Sequence, residues 1–153
     1  MIDYLKWDLR FLEMAKLVST FSKDPSTKCG AVIVRANNTV QSVGFNGFPA
    51  IMEDVEEHYQ HRGEKLSRII HAEVNALMFA KDSTGGSSLY TYPMPCCDRC
   101  IVQMLQAGIS RFVFPKPTEE QVIRWGSAFN KGKQYITELQ QIYPWFEYKE
   151  VNF

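Results

Sequence analysis

The chain has 153 residues, of which 45% are hydrophobic and 13% aromatic, so it carries enough apolar material for one packed core. Its 17 basic residues balance 17 acidic ones. Proteins that hold a nucleic-acid backbone usually carry a basic excess, so this balance argues against a nucleic acid polymer and leaves a small anionic ligand open. We expect one domain over residues 1–153.

The cellular location is predicted from apolar segments and from cysteine usage. The N-terminal region lacks a signal-peptide pattern, and no segment approaches the roughly 18 apolar residues that a membrane helix needs. Three of the four cysteines fall within five positions, which is typical of a metal or redox site in a reducing compartment. We therefore expect a cytoplasmic protein that does not bind membranes. The cysteines are Cys29, Cys96, Cys97 and Cys100.

The first half of the chain predicts one helix and a hairpin. Apolar residues spaced by three and four indicate a helix over residues 4–21. Two β-branched runs, 29–35 and 39–45, are joined by a short Asn-rich turn and predict paired strands. The polar stretch 47–68 gives a weaker signal, and we expect only a short helix within it.

The second half alternates predicted helices and strands. The helix predicted over residues 71–81 should bury Val74, Leu77 and Met78, and Gly108 should end the helix predicted over 97–107. Thr118 with Gln121 forms a capping box that starts the helix predicted over 118–142. The order of elements favours an α/β domain with one sheet covered by helices. We predict helices over 71–81, 97–107 and 118–142, the last one broken near Gly132, and strands over 88–92, 111–114 and 146–151.

Two short motifs, His71-x-Glu73 and Cys97-x-x-Cys100, indicate a metal site. Two cysteines three positions apart at a helix start direct both sulfurs to one point, where the positive helix end favours thiolates. His71 begins the preceding helix and can supply a third ligand. One nitrogen and two sulfurs suit Zn²⁺ and leave its fourth position for water, which is typical of a catalytic site.

Glu73 is the residue predicted to transfer protons to and from that water. Zinc lowers the pKa of bound water to roughly 7. A carboxylate two residues from a ligand can accept a proton during attack and return protons to a ring nitrogen and a departing amine. A histidine, a glutamate that is not a ligand and a Cys-x-x-Cys together are the signature of zinc nucleobase deaminases.

These motifs resemble those of the cytidine-deaminase-like superfamily, and further segments resemble its deoxycytidylate (dCMP) deaminases. The resemblance extends in order from about residue 7 to residue 114. It implies a three-layer α/β/α fold with a five-stranded mixed sheet, Zn²⁺ as cofactor and a homo-oligomer, often a hexamer. It also implies hydrolysis of dCMP to dUMP and ammonia, which feeds thymidylate synthesis. The resembling segments are Ser22–Lys28, Gly30–Val34, Gly44–Pro49, His71–Ala76 and Gln106–Ile109.

Four residues are predicted to contact the substrate. Ser26 and Lys28 can meet the phosphate, and Asn46 can bind the sugar or base. Lys28 is equally explained as a solvated surface lysine, and Asn46 as a turn residue. The resemblance favours a functional Asn46 and adds Ala72. It leaves allosteric residues open, because Phe45 replaces the tyrosine of the motif through which dCTP and dTTP regulate some members.

Several alternatives remain open. Members usually have proline before the first cysteine ligand, where this chain has Cys96, so Cys96 could replace Cys97; we assign Cys97 because it restores the usual spacing. His58 and His61 could bind an accessory zinc, although an exposed polar helix explains both. The rival functions are a deaminase of another small nucleoside or nucleotide, a zinc-braced module without activity, and a thiol oxidoreductase.

Overall fold

The computed structural model describes residues 4–153, so the first three residues of the expected domain lie outside the described part. Within that part, no helix is both long and apolar enough to cross a bilayer. The elements in chain order are α1 (Tyr4–Ser19), β1 (Gly30–Val34), β2 (Val40–Phe45), α2 (Glu56–Gln60), α3 (Arg62–Arg68), α4 (Ala72–Met78), β3 (Ser88–Tyr92), α5 (Asp98–Gln106), β4 (Arg111–Pro115), α6 (Glu119–Gln140) and β5 (Glu147–Val151).

The five strands form one mixed sheet in the order β2-β1-β3-β4-β5. β1 pairs antiparallel with both β2 and β3, which confirms the predicted hairpin. β3, β4 and β5 run parallel to one another, since helices provide the crossovers between them. Helix α1 covers one face, and α4, α5 and α6 cover the other, so the predicted three-layer α/β/α architecture is confirmed.

Side chains of the central strands alternate between two cores. In β1, Val32 and Val34 pack with Phe11 and Leu12 of α1, whereas Ile33 packs in the second core with the helices of the other face. The strand is buried along its whole length, as expected for a central strand covered on both faces. This double burial explains why the sequence shows a continuous apolar run there.

A buried ion pair fastens α1 to the parallel half of the sheet. The Asp8 carboxylate is 1% exposed and accepts hydrogen bonds from Arg111 at 2.7 and 2.8 Å, from Lys149 at 2.8 Å and from the Tyr90 hydroxyl at 2.7 Å. Although burial raises the Asp8 pKa, the hydrogen bonds from Arg111 and Lys149 hold it below its usual value. The carboxylate therefore remains charged and paired at neutral pH.

Two details of the predicted helices are wrong. Met78 was expected to be buried, but it is 66% exposed at the end of α4, where Ala72 and Ala76 form the face packed against β2. α6 runs without a break through Gly132. A side-chain carbon at Gly132 would lie 2.6 Å from Cδ1 of Ile101, so glycine there allows α6 to pack closely on α5.

Close contact between β2 and α4 depends on Gly44. A side-chain carbon at this position would overlap the carbonyl oxygen of Ala72 and the backbone nitrogen of Ala76. Both obstacles are backbone atoms of α4, which cannot rotate away as a side chain can. The absence of a side chain at Gly44 therefore sets how closely α4, which His71 precedes, approaches the sheet.

We expect Gly44→Ala to lower the free energy of unfolding by about 1–3 kcal/mol, because the added methyl group forces α4 off β2. Urea denaturation measures this change. Gly63→Ala is the matched control, since a side-chain carbon there meets nothing within 4 Å. Equal stabilities of the two variants would contradict this account of the packing.

Candidate active site

Two predicted metal ligands stand directly before the first residues of helices. His71 is the N-cap of α4, and Cys97 is the N-cap of α5, each with extended backbone angles. Cys100 follows in the first turn of α5, where its backbone N–H donates to Sγ of Cys97 at 3.4 Å. The chain geometry at the two helix starts therefore orients all three side chains.

The three donor atoms form one compact group. His71 Nδ1 lies 3.1 Å from Sγ of Cys100 and 3.6 Å from Sγ of Cys97, and all three donors lie within 4.8 Å of one another. In a tetrahedral zinc site the usual Zn–N and Zn–S lengths place nitrogen and sulfur about 3.6 Å apart. His71, Cys97 and Cys100 are thus positioned to bind a metal ion through Nδ1 and two sulfurs.

The surroundings of these thiols favour their neutral form unless a cation lies beside them. The hydrogen bond with Cys100, followed by burial, raises the pKa of Cys97. The hydrogen bond with Cys96 and burial also raise the pKa of Cys100. The hydrogen bond to Cys97 raises the pKa of His71. A coordinated divalent cation supplies the compensating charge and deprotonates its thiol ligands.

Cys96 lies on the other side of Cys100 and belongs to the core. It is 2% exposed, and burial raises its pKa to about 12. Its sulfur groups with Cys100 and a carboxylate oxygen of Glu73 within 4.8 Å, not with His71 and Cys97. Cys96 therefore does not close the three-ligand group as a fourth protein ligand.

A cleft with a volume of about 170 Å³ opens over the ligands. His71, Cys97 and Glu73 line it, and Glu73 is only 8% exposed. Because its carboxylate lies within 4.8 Å of the Cys100 sulfur, Glu73 reaches the same small volume as the ligands. Apolar side chains form much of the remaining wall: Leu66, Ile69, Tyr92, Met94, Pro95, Trp125, Ala128 and Phe129.

Asn46 holds the loop that forms one wall of this cleft. Its Oδ1 accepts from the backbone N–H of Cys29 at 2.8 Å. Its Nδ2 donates to the carbonyl oxygen of Thr27 at 2.8 Å and to Oδ2 of Asp24 at 3.3 Å. Asn46 is 7% exposed and lines the cleft, so it positions the loop and retains one lone pair on Oδ1 for a ligand.

The other predicted substrate contacts divide into two groups. Ser26 and Ala72 line the cleft with Asn46, whereas Lys28 is exposed and is not among the described residues that line it. Cys29 is half-buried just before β1 and lines the cleft while also packing against the core.

The structure gives no support to a second metal site at the two other histidines. His58 and His61 belong to neither metal-binding group found among residues 4–153. They lie on α2 and at the junction between α2 and α3, in the polar stretch that forms these two short helices.

Sequence reasoning missed one face of α3 and one face of α6. Arg62 and Lys65 on α3 and Arg124 on α6 line the cleft together with apolar neighbours. On α3 the lining positions recur at intervals of three and four, which is the periodicity of one helix face. That spacing was present in the sequence, but the helix is too short and polar to be recognised from its pattern.

Comparison with known proteins identifies the family. Residues 5–116 match the family described as the cytidine and deoxycytidylate deaminase zinc-binding region. Together with the donor geometry, this match shows that the cofactor is zinc.

Individual relatives agree with this match. A protein of Aliivibrio fischeri named as an uncharacterized deaminase in the luxG 3′ region is 38% identical over 140 residues, covering 92% of this chain and 93% of the relative. Human deoxycytidylate deaminase is 36% identical over 119 residues, covering 73% of this chain and 66% of the human protein. The chain thus spans about two thirds of the length of the human relative.

The fold also matches a solved structure. The dCMP deaminase of cyanophage S-TIM5, in complex with dCMP and dUMP, superposes with a TM-score of 0.70 over 99% of both chains. Sequence identity is 22%, so this likeness concerns the fold.

We expect Cys97→Ala to reduce bound zinc from about one ion per chain to less than a tenth, because it removes one of three protein ligands. Cys96→Ala, the matched control, should keep its zinc. Elemental analysis of dialysed protein measures both, with far-UV circular dichroism to establish folding. Zinc retained by Cys97→Ala and lost from Cys96→Ala would overturn the ligand assignment.

Proposed function

The chain belongs to the cytidine and deoxycytidylate deaminase family, and we propose that it is a zinc-dependent hydrolase that converts dCMP and water to dUMP and ammonia. The observation that carries this proposal is the placement of Glu73 beside the three zinc ligands at the bottom of one cleft. The relatives named deoxycytidylate deaminase support the choice of substrate. The product would supply thymidylate synthesis.

The cleft has the features that a cytosine nucleotide requires. Its apolar wall can pack against a base, and the Oδ1 of Asn46 and the backbone around Ala72 offer polar contacts. Ser26 lies at the same cleft and offers its hydroxyl. The balanced charge of the chain agrees with a free nucleotide rather than a nucleic acid polymer.

Glu73 moves the protons in the proposed reaction. His71, Cys97 and Cys100 would hold the zinc ion, which would make a water nucleophilic at neutral pH. Glu73 would accept one proton of this water and pass it to the ring nitrogen N3 while the water oxygen bonds to C4 of the cytosine ring. Glu73 would then accept the second proton, from the new C4 hydroxyl, and pass it to the amine, so that the C4–N bond breaks, C4 becomes a carbonyl and ammonia leaves. The buried carboxylate is close enough to the ligands to make these transfers.

We also propose one domain over residues 1–153, a cytoplasmic location and a homo-oligomer, of which a hexamer is the form expected from the family. The four free cysteines agree with a reducing compartment. Assembly is supported by apolar side chains exposed on α1, β2 and α4 and in the segment next to each. Light scattering tests it: a single species of 17.6 kDa would exclude an oligomer. The exposed side chains are Leu17, Phe21, Val43, Phe45, Met78 and Phe79.

Ammonia release from dCMP, CMP, deoxycytidine and dCTP tests the substrate directly. We expect dCMP to be turned over with the highest kcat/KM. A zinc-loaded protein that deaminates none of these compounds would contradict the proposal. A higher kcat/KM for another of the four compounds would identify that compound, instead of dCMP, as the preferred substrate.

Glu73→Gln should lower kcat for dCMP by roughly 10²–10⁴-fold, because glutamine keeps the shape of the side chain but cannot carry the proton. Zinc content and thermal stability should remain those of the parent protein. Glu13→Gln, at an exposed position of α1, controls for the loss of one carboxylate. Retention of full activity by Glu73→Gln would exclude the proposed proton transfer.

A further inference from the structure

Two arginines line the cleft from helices that carry none of the metal ligands. Arg62 is the first residue of α3, and Arg124 lies in the first half of α6. Arg62 shares the cleft-facing side of α3 with Lys65 and Leu66, three and four positions later. Both arginines are exposed residues that line the cleft, and the deamination chemistry described above uses neither.

The two arginines differ from the third cation of the cleft in having no acidic partner. Lys65 Nζ lies 2.9 Å from both carboxylate oxygens of the buried Asp24, so its charge is neutralised within the protein. Among residues 4–153, neither the Arg62 side chain nor the Arg124 side chain makes a hydrogen bond or an ion pair.

Arg124 is held in place without an acidic group. Its guanidinium carbon lies 4.4 Å from the ring centroid of Trp125, within the range of a cation–π contact. Trp125 also lines the cleft. The stacking orders the guanidinium but leaves its N–H donors free, and five donors in a fixed plane match a phosphate better than a point charge does.

The charged groups that line the cleft sum to a net positive charge. The zinc ion and its two thiolates cancel, and Asp24 cancels Lys65. Glu73 remains beside the ligands, and two guanidinium groups remain elsewhere on the walls. A phosphate monoester carries close to two negative charges at pH 7, so it matches the two guanidinium groups in charge.

We propose that Arg62 and Arg124 bind the 5′-phosphate of the substrate and make the enzyme selective for a nucleoside monophosphate over a nucleoside. This inference rests on the proposed function and adds residues that determine its specificity. Ser26, at the same cleft, can donate its hydroxyl to the same group. The exposed Lys131 of α6 lies outside the lining of the cleft and serves as the control for a lost positive charge.

The test compares Arg62→Gln, Arg124→Gln and Lys131→Gln in kcat/KM for dCMP and for deoxycytidine. Each arginine variant should lose roughly 10–100-fold on dCMP, mainly through KM, because a hydrogen bond to a charged group contributes about 1.5–3 kcal/mol. Deoxycytidine turnover should change by less than about twofold, and Lys131→Gln should match the parent protein on both substrates.

Two results would overturn the assignment: arginine variants that keep the parent kcat/KM for dCMP, or variants that lose equal activity on dCMP and deoxycytidine. Where deoxycytidine turnover is too slow to measure, the two constants for dCMP decide. A loss confined to KM supports phosphate binding, and a loss confined to kcat contradicts it.

A titration with inorganic phosphate separates this inference from the proposed function. Phosphate bound by the two arginines should change the fluorescence of Trp125. Arg62→Gln should abolish this change while leaving the Arg124–Trp125 contact intact. A parent protein that shows this response but does not deaminate dCMP would retain the anion site and lose the proposed function. The absence of a response in a dCMP-active parent protein would refute the site alone.

Discussion

The metal centre depends on where two helices begin. His71 and Cys97 are the N-caps of α4 and α5, so the backbone turn that starts each helix also fixes the direction of a ligand. The helices are in turn fixed by the core beneath them, where Gly44 lets the backbone of α4 rest directly on β2. The separation of the three donors is thus a consequence of how tightly α4 and α5 pack on the sheet.

Chemistry and recognition are carried by different parts of the fold. The zinc ligands and Glu73 belong to α4 and α5 or to their caps, above the sheet and packed on its core. The walls of the cleft come from α3, from α6 and from the loop that Asn46 holds through three hydrogen bonds. Walls that carry no metal ligand can differ between deaminases without disturbing the metal, so substrate preference belongs to these walls.

Local patterns predicted most of the fold and the ligands. The alternation and caps of the strands and helices are short-range signals, as for the capping box of Thr118, which the structure confirms. Features that depend on distant partners were not predictable. Asp8 pairs with Arg111, which lies 103 positions away in the sequence. Position 132 requires glycine because Ile101 of α5 packs against it. The cleft-facing arginines were missed for the same reason, since only the assembled fold brings α3 and α6 to one cleft.

Removal and return of the metal tests the central claim most directly. The protein is treated with a chelator, dialysed and assayed for dCMP deamination, and then titrated with Zn²⁺ while bound metal and activity are measured together. The account predicts that activity falls in proportion to zinc lost and returns to its starting value at about one zinc per chain. Undiminished dCMP deamination by protein with less than about a twentieth of its zinc would contradict it.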